Sequence, residues 1–330
     1  MVRNSKQRSL LALVLGLLLL VSVLLSVGSG SVHIRLPEIA AILRGTATPN
    51  AAVFTQIRLP RVSLSLLAGI NLALAGLLLQ TVLKNPLADP GIMGINAGAA
   101  FGATLIMLLW PAATAAVPLV AFLGGMAAFL LIVGFSWRRN LSPVVLILAG
   151  VAVNTVISGG QSVLTTLFSD RLQGVVTWLN GDLSGKTWGQ CGLLLVYGVP
   201  AYLTVLLLSR QLNVLSLNDN AVASLGLPVR RYRLMLSNVA VYLAAITVAQ
   251  VGLIGFVGLI VPHIARLLVG GNHRCLLPFT VLIGAVVVSF GDTLARTIVA
   301  PVELPVGTIM AIFGGPFFLF LLIRRKGGTV

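Results

Sequence analysis

Lys, Arg, Asp and Glu are missing from nine long stretches of this chain: 10–27, 62–83, 91–110, 117–135, 144–168, 192–209, 234–264, 276–290 and 305–323. Most of these runs are long enough, as helices, to cross a hydrocarbon layer of about 30 Å. No water-soluble domain tolerates so much uninterrupted apolar sequence. The chain is read as a polytopic membrane protein, and its function as something done across the bilayer.

Composition agrees, with 58% hydrophobic residues against 9% charged. A closed barrel would alternate polar and apolar residues in segments of about ten. These runs are continuously apolar and rich in Leu, Ala and Gly, so helices are the spanning element and the fold class is all-α. The 22 Lys+Arg against 7 Asp+Glu do not point to nucleic acid, because the cations sit between the spans. With the N-terminus inside and the 234–269 stretch divided near Gly252–Gly258, about ten spans result. Fifteen cations then fall inside (among them Arg3, Lys84, Arg230, Arg231, Arg233, Arg325 and Lys326) and seven outside (Arg35, Arg44, Arg58, Arg61, Arg171, Lys186 and Arg296). Basic loops stay cytoplasmic, so both termini are expected there. The basic N-terminus and the run that follows look like a signal peptide. That run is longer than an ordinary signal core and lacks an A-x-A site, which favours an uncleaved first helix. Cys191 is expected in a span and Cys275 in an inner loop, too far apart in depth for a disulfide.

One transmembrane unit covers 1–330, with an outer loop over about 28–57 and an inner loop over about 210–233. Gly and Pro break the pattern at Asn85-Pro86-Leu87-Ala88-Asp89-Pro90-Gly91 and at Val261-Pro262-His263. Freed backbone groups inside a bilayer must find partners in other helices or a wet cavity, so such breaks favour a packed bundle around an internal path. Gly94, Gly98 and Gly102, and Gly252, Gly255 and Gly258, have the spacing of close helix contacts. The segments 62–109 and 234–268 share an order of long span, break and Gly-rich short span, as internal transporter repeats do.

Enzyme chemistry finds no foothold. His33, His263 and His273 lack metal-ligand spacing, and neither HExxH nor GxSxG occurs. Gly181-Asp182-Leu183-Ser184-Gly185-Lys186-Thr187 imitates a phosphate loop but places three residues between the glycines where four are required. No catalytic residue, metal site or cofactor is therefore expected. Asp292 stands out as an acid near the membrane, and Arg296 four residues later reads as its self-neutralising partner. No proton relay is evident. Arg58 and Arg61, flanking a helix-starting Pro60, share a face and read as either interface anchors or an exposed patch for an acidic partner. In the inner loop, Asn218 or Asp219 can cap a short helix that Gly226 ends in the left-handed conformation and Pro228 prevents from continuing. Glu303 and Pro305 fit the start of the last span.

These residues also resemble a family. Arg58-Leu59-Pro60-Arg61, Asn85 through Gly94, Ala223-Ser224-Leu225-Gly226-Leu227, Ile254 through His263 and Glu303-Leu304-Pro305-Val306-Gly307 occur in the order of the permease subunits of iron–siderophore and cobalamin ABC transporters, the FecCD type. The resemblance covers nearly the whole chain. It implies ten helices, a second permease subunit (identical or homologous), two cytoplasmic ATP-binding subunits, an extracytoplasmic substrate-binding protein, and residence in the cytoplasmic membrane of a bacterium. It also implies that Arg58, Arg61 and Arg296 receive carboxylates of the binding protein. Ala223, Leu225, Gly226 and Leu227 would contact the ATPase, and Asn85 and Leu87 would lie near a cytoplasmic gate. The 144–168 span would line the path.

The expected function is thus an importer permease without its own ATPase site, carrying a ferric siderophore, with haem or cobalamin as alternative cargo. An ion-coupled secondary carrier would need a buried ionisable coupling site, and an intramembrane enzyme a nucleophile or metal cluster.

Overall fold

A computed structural model describes residues 4–30, 34–46 and 48–324. Arg3, His33, Arg325 and Lys326, used above, lie outside the described residues. The order is α1 (Ser5–Gly28), α2 (Leu36–Leu43), α3 (Leu59–Val82), α4 (Ile95–Leu109), α5 (Val117–Ser136), α6 (Pro143–Leu167) and α7 (Gln173–Leu179). It continues with α8 (Trp188–Leu207), α9 (Ser209–Leu215), α10 (Asp219–Ser224), α11 (Val229–Val251), α12 (Val257–Val269), α13 (His273–Thr297) and α14 (Val306–Arg324). The described residues contain no strand. Seven helices are long and apolar enough to cross a membrane, and three shorter apolar stretches, Ile95–Leu109, Val257–Val269 and Val306–Phe320, accompany them.

Pro60 stands in the first turn of α3 as expected, but a π-helical turn over Val53–Arg58 precedes it, so the outer connection carries more helix than its sequence implied. The long 234–269 stretch divides where expected. α11 stops at Val251, Gly252 takes φ +72°, and α12 begins at Val257. Two boundaries differ. Cys275 lies in the first turn of α13 rather than a loop. Pro305 directly precedes α14, with its carbonyl accepting from Thr308 N at 3.1 Å. Both cysteines are free; Cys191, in α8, donates to the Pro60 carbonyl at 3.0 Å.

α3 runs through the centre and packs on α8, α11, α12 and α13. In lipid, close packing replaces the hydrophobic drive between helices, and glycine supplies it here. A Cβ at Gly76 would come within 1.9 Å of the Gly258 carbonyl oxygen, and one at Gly69 within 2.1 Å of the Gly284 oxygen. At Gly98 a Cβ would meet the Gly124 oxygen at 2.2 Å, which sets α4 against α5. Gly255, by contrast, faces open space. A polar bridge crosses this core: Asn71 Nδ2 donates to Thr247 Oγ1 at 3.0 Å, and Tyr202 donates its hydroxyl to Asn71 Oδ1. It satisfies polar atoms that would be costly to bury alone.

Two further sets of polar long-range contacts lie at opposite ends. One joins residues 8, 84, 137, 141, 213, 219, 230, 233, 272, 273 and 275. The other joins 26, 27, 29, 58, 61, 184, 292, 296 and 303. Each set falls on one side of the topology drawn from the loop charges.

Candidate functional site

The outer end holds the three arginines Arg58, Arg61 and Arg296. They are not an exposed patch: their residues are 4%, 7% and 3% accessible, and Asp292 beside them is 0%. The expectation of exposure fails because α3, the turn before it and α13 place these side chains between helices, where Arg61 meets carboxylates from far along the chain and Arg58 and Arg296 meet backbone carbonyls of the α1 end. Arg61 reaches Asp292 through Nε to Oδ1 at 3.0 Å and Nη2 to Oδ1 at 2.9 Å, and donates Nη1 to Glu303 Oε2 at 2.7 Å. Arg296 holds its Nε 3.2 Å from Asp292 Oδ2, without hydrogen-bond geometry, and donates Nη2 to the Ser26 carbonyl and hydroxyl, both at 2.8 Å. Arg58 donates Nη1 to the Val27 carbonyl at 3.0 Å and to that of Ser29. The intrahelical Asp292–Arg296 pair expected from spacing is therefore present, but Arg61 holds the same carboxylate.

Glu303, three residues before α14, is held by side chains from elsewhere in the chain. Its Oε2 takes Arg61 and, at 3.1 Å, the Ser184 hydroxyl. Burial would raise its pKa, but the hydrogen bond and charge of Arg61, with Ser184 and Arg296, outweigh that and hold it below the usual carboxylate range. Ser184 belongs to the 181–187 loop that imitates a phosphate loop. Here the loop is a structural corner: Asp182 N bonds the Val251 carbonyl at 2.8 Å, Val306 N bonds that of Gly181 at 3.1 Å, and Thr187 caps α8 with Gln190. Beside it, Met107, Gln173, Gly174, Thr177, Trp178, Asp182 and Lys186 line a cavity of 470 Å³.

At the inner end α10 forms as the local residues dictate. Asn218 accepts from Ala221 N at 2.8 Å as the cap, and Gly226 follows at φ +75°. Ala223, Leu225 and Gly226 are exposed; Leu227 is half-buried and packs on the core, with Val222 beneath. Asp219 pairs with Lys84 and, at 3.0 Å, with Arg233. Partial burial would raise the Asp219 pKa, but these two cations outweigh it and lower it. Asn85 Oδ1 accepts from Leu87 N at 3.0 Å, and both residues are half-buried in the 83–94 connector. In that connector Asp89 is a half-buried acid that the reading of Asp292 overlooked. Its Oδ1 accepts only from Gly91 N, at 2.8 Å, and burial raises its pKa against that bond.

α6, the span expected to line a path, is the least covered long helix, with only Leu146, Gly150 and Val153 buried. Thr155, Ser158, Ser162 and Thr166 recur along one exposed face at helical spacing. No titratable side chain lies anywhere in α6.

The Arg61–Asp292, Arg61–Glu303 and Lys84–Asp219 pairs escaped the sequence reading because their partners are 231, 242 and 135 residues apart. A usable signal was the scarcity of acids: with 7 Asp+Glu against 22 Lys+Arg, an acid at a span end is the natural partner of a cation on the same membrane side, as Asp219, Asp292 and Glu303 are.

The model of the FecCD transport family matches residues 18–324. The Fe(3+)-citrate import system permease protein YfmE of Bacillus subtilis is 36% identical over 97% of this chain and 96% of its own length. The "Probable heme-iron transport system permease protein IsdF" of Staphylococcus aureus is 36% identical over the full length of both. A solved structure described as an inward-facing metal-chelate type ABC transporter superposes with TM-score 0.84 at 32% identity, covering 94% of this chain and 97% of that one. PsaBC of Streptococcus pneumoniae shares the fold at TM-score 0.62 and 18% identity. The chain belongs to the FecCD transport family, the multi-pass permeases of bacterial ABC importers.

Proposed function

We propose that the cargo is an iron chelate of the ferric siderophore class, carried across the cytoplasmic membrane. The observation that carries this is the face of α6. It offers hydroxyls and apolar groups and no carboxylate, imidazole or thiol. Such a surface suits a chelate whose metal is already saturated by its own donors, whereas a naked ion needs ligands from the protein. Of the relatives' names, the one for ferric citrate fits this reading, and the one for heme-iron names the alternative cargo. In this reading the exposed side of α6 faces a second permease subunit across the path. Energy comes from two cytoplasmic ATP-binding subunits that engage Ala223, Leu225, Gly226 and Leu227. Asn85 and Leu87 sit where the inner end of the path closes.

A binding protein outside would present carboxylates to Arg58, Arg61 and Arg296. Among the described residues three guanidinium groups gather here with two carboxylates, Asp292 and Glu303, a balance that favours an incoming acid. Movement of the bundle then requires contacts that differ between nucleotide states.

The test is ATP hydrolysis by the reconstituted transporter with its binding protein, against ferric citrate, a ferric hydroxamate, heme and cobalamin. Stimulation by a ferric chelate is expected. Stimulation by heme or cobalamin alone overturns the cargo assignment.

A further inference from the structure

Two routes of contacts connect the inner surface to α6. Asp219, the first residue of α10, holds Lys84 with one carboxylate oxygen, while both oxygens accept from Arg233 Nη2 at 3.0 Å. Lys84 is the residue at which α3 gives way to the 83–94 connector, and its φ of 49° is unusual for a side chain with a Cβ. The connector rests directly on α6: Asn154 Nδ2 donates to the Gly91 carbonyl at 3.1 Å, and Gly150 leaves so little room that a Cβ there would lie 2.1 Å from the Ile92 oxygen. Arg233 also donates Nη1 to the Leu141 carbonyl at 3.3 Å, just before α6 begins. One carboxylate thus touches both approaches to α6.

We propose that Asp219 is a positioning residue: through Lys84 and Arg233 it transmits displacement of α10 to the connector and to α6. The proposal rests on reading α10 as the element that meets the ATP-binding subunits. Its logic comes from what the pair cannot do. Asp219 and Lys84 are solvent-accessible, with side chains 47% and 27% exposed, and an ion pair in such a setting adds little to folding stability. Its geometric effect is larger. Val222 anchors α10 in the core, and the remaining exposed face is free to be pushed. Among the described residues, the Asp219–Lys84 contact is the polar tie between that face and the connector.

The experiment uses the complete transporter in proteoliposomes, with Cys191→Ala and Cys275→Ala as background and Ser158→Cys as a reporter on the exposed face of α6. A membrane-impermeant maleimide measures how labelling changes between nucleotide-free and ATP–vanadate states. In the parent a clear change is expected. Asp219→Asn, and independently Lys84→Met, should shrink that change by about fivefold, the factor equivalent to roughly 1 kcal/mol, while the ATP-binding subunits stay bound and hydrolyse ATP. The double variant should be no worse than either single one, because both cut the same link, and Asp219→Glu should restore the response. Lys84→Met leaves α10 itself untouched, so misfolding of that helix cannot explain its effect. An unchanged response in both single variants, with subunits bound, overturns the proposal while leaving the reading of α10 in place. If Leu225→Arg leaves subunit binding intact, or the parent shows no nucleotide response, the reading of α10 fails and the proposal falls with it.

Discussion

Arg61 and Asp292 lie 231 residues apart in sequence and meet through Nε and Nη2 of one guanidinium, at 3.0 and 2.9 Å from a single carboxylate oxygen. Asp292 also neighbours Arg296. One fully buried acid therefore compensates two buried cations on different helices.

Replacing that acid leaves both cations without it. Asp292→Asn should destabilise the permease by about 3–5 kcal/mol, the cost of stranding a buried charge. Thermal unfolding in detergent would show it as a large fall in midpoint. Arg61→Met combined with Asp292→Asn should recover part of the loss; no recovery would mean that the pair is not the source.

Glu303 already occupies one arm of the guanidinium that an incoming carboxylate would seek. Glu303→Gln should therefore strengthen capture of the binding protein, by several-fold in dissociation constant, while Arg58→Glu with Arg61→Glu should abolish it at physiological salt. Surface-plasmon measurements separate the two. Protonation of Glu303 would mimic the Gln variant, but only as pH falls through its depressed folded value, below the ordinary carboxylate range. Its contribution to stability is whole above that range and is lost below it. Capture between about pH 6 and 8 should show no titration from this group.

Asp89 has the opposite sign. Its raised pKa means that burying the ionised form costs stability at neutral pH, a cost relieved as pH falls through the folded value. Asp89→Asn keeps an oxygen for Gly91 N and should match or exceed the parent in melting temperature at pH 7. A substantial drop would show that the charge itself is needed.

Gly76→Ala should be among the most damaging small changes, because its methyl group would enter the Gly258 carbonyl across the α3–α12 contact. A loss of at least about 3 kcal/mol is expected, read as lost folded yield. Gly16→Ala, with nothing within 4 Å, is the matched control and should be neutral.

At Gly226 the difficulty is conformational and not spatial: φ is +75°, yet a Cβ would meet nothing within 4 Å. Gly226→Val should cost about 1–2 kcal/mol of local strain and lower uptake per ATP hydrolysed. Gly226→Asn, more tolerant of that backbone region, should retain most of it. Equal coupling in both variants would remove Gly226 from the coupling element.

What could be read from the chain alone was whatever a short segment decides for itself. Asn218 caps α10 and Gly226 turns out of it because both choices depend on neighbouring backbone. The break at Gly252 was legible for the same reason, and so was the Asp292–Arg296 spacing. The burial of Arg58, Arg61 and Arg296 was not, because it depends on where α1, α13 and the 298–305 connection come to rest. Arg61 in isolation looks like a surface cation; only the arrival of Asp292 and Glu303 makes its interior position tolerable. Asp89 was hidden by the opposite effect, a loop-like sequence that the fold closes over.

α3 carries Arg61 at one extremity and hands over to Lys84 at the other, a straight distance of about 35 Å at helical rise. Its middle is clamped by glycine contacts at Gly69 and Gly76, and no proline interrupts it beyond Pro60. It is a stiff strut shared by the mouth and the base of the molecule. With no hinge along its length, such a strut would let a displacement at one surface be felt at the other.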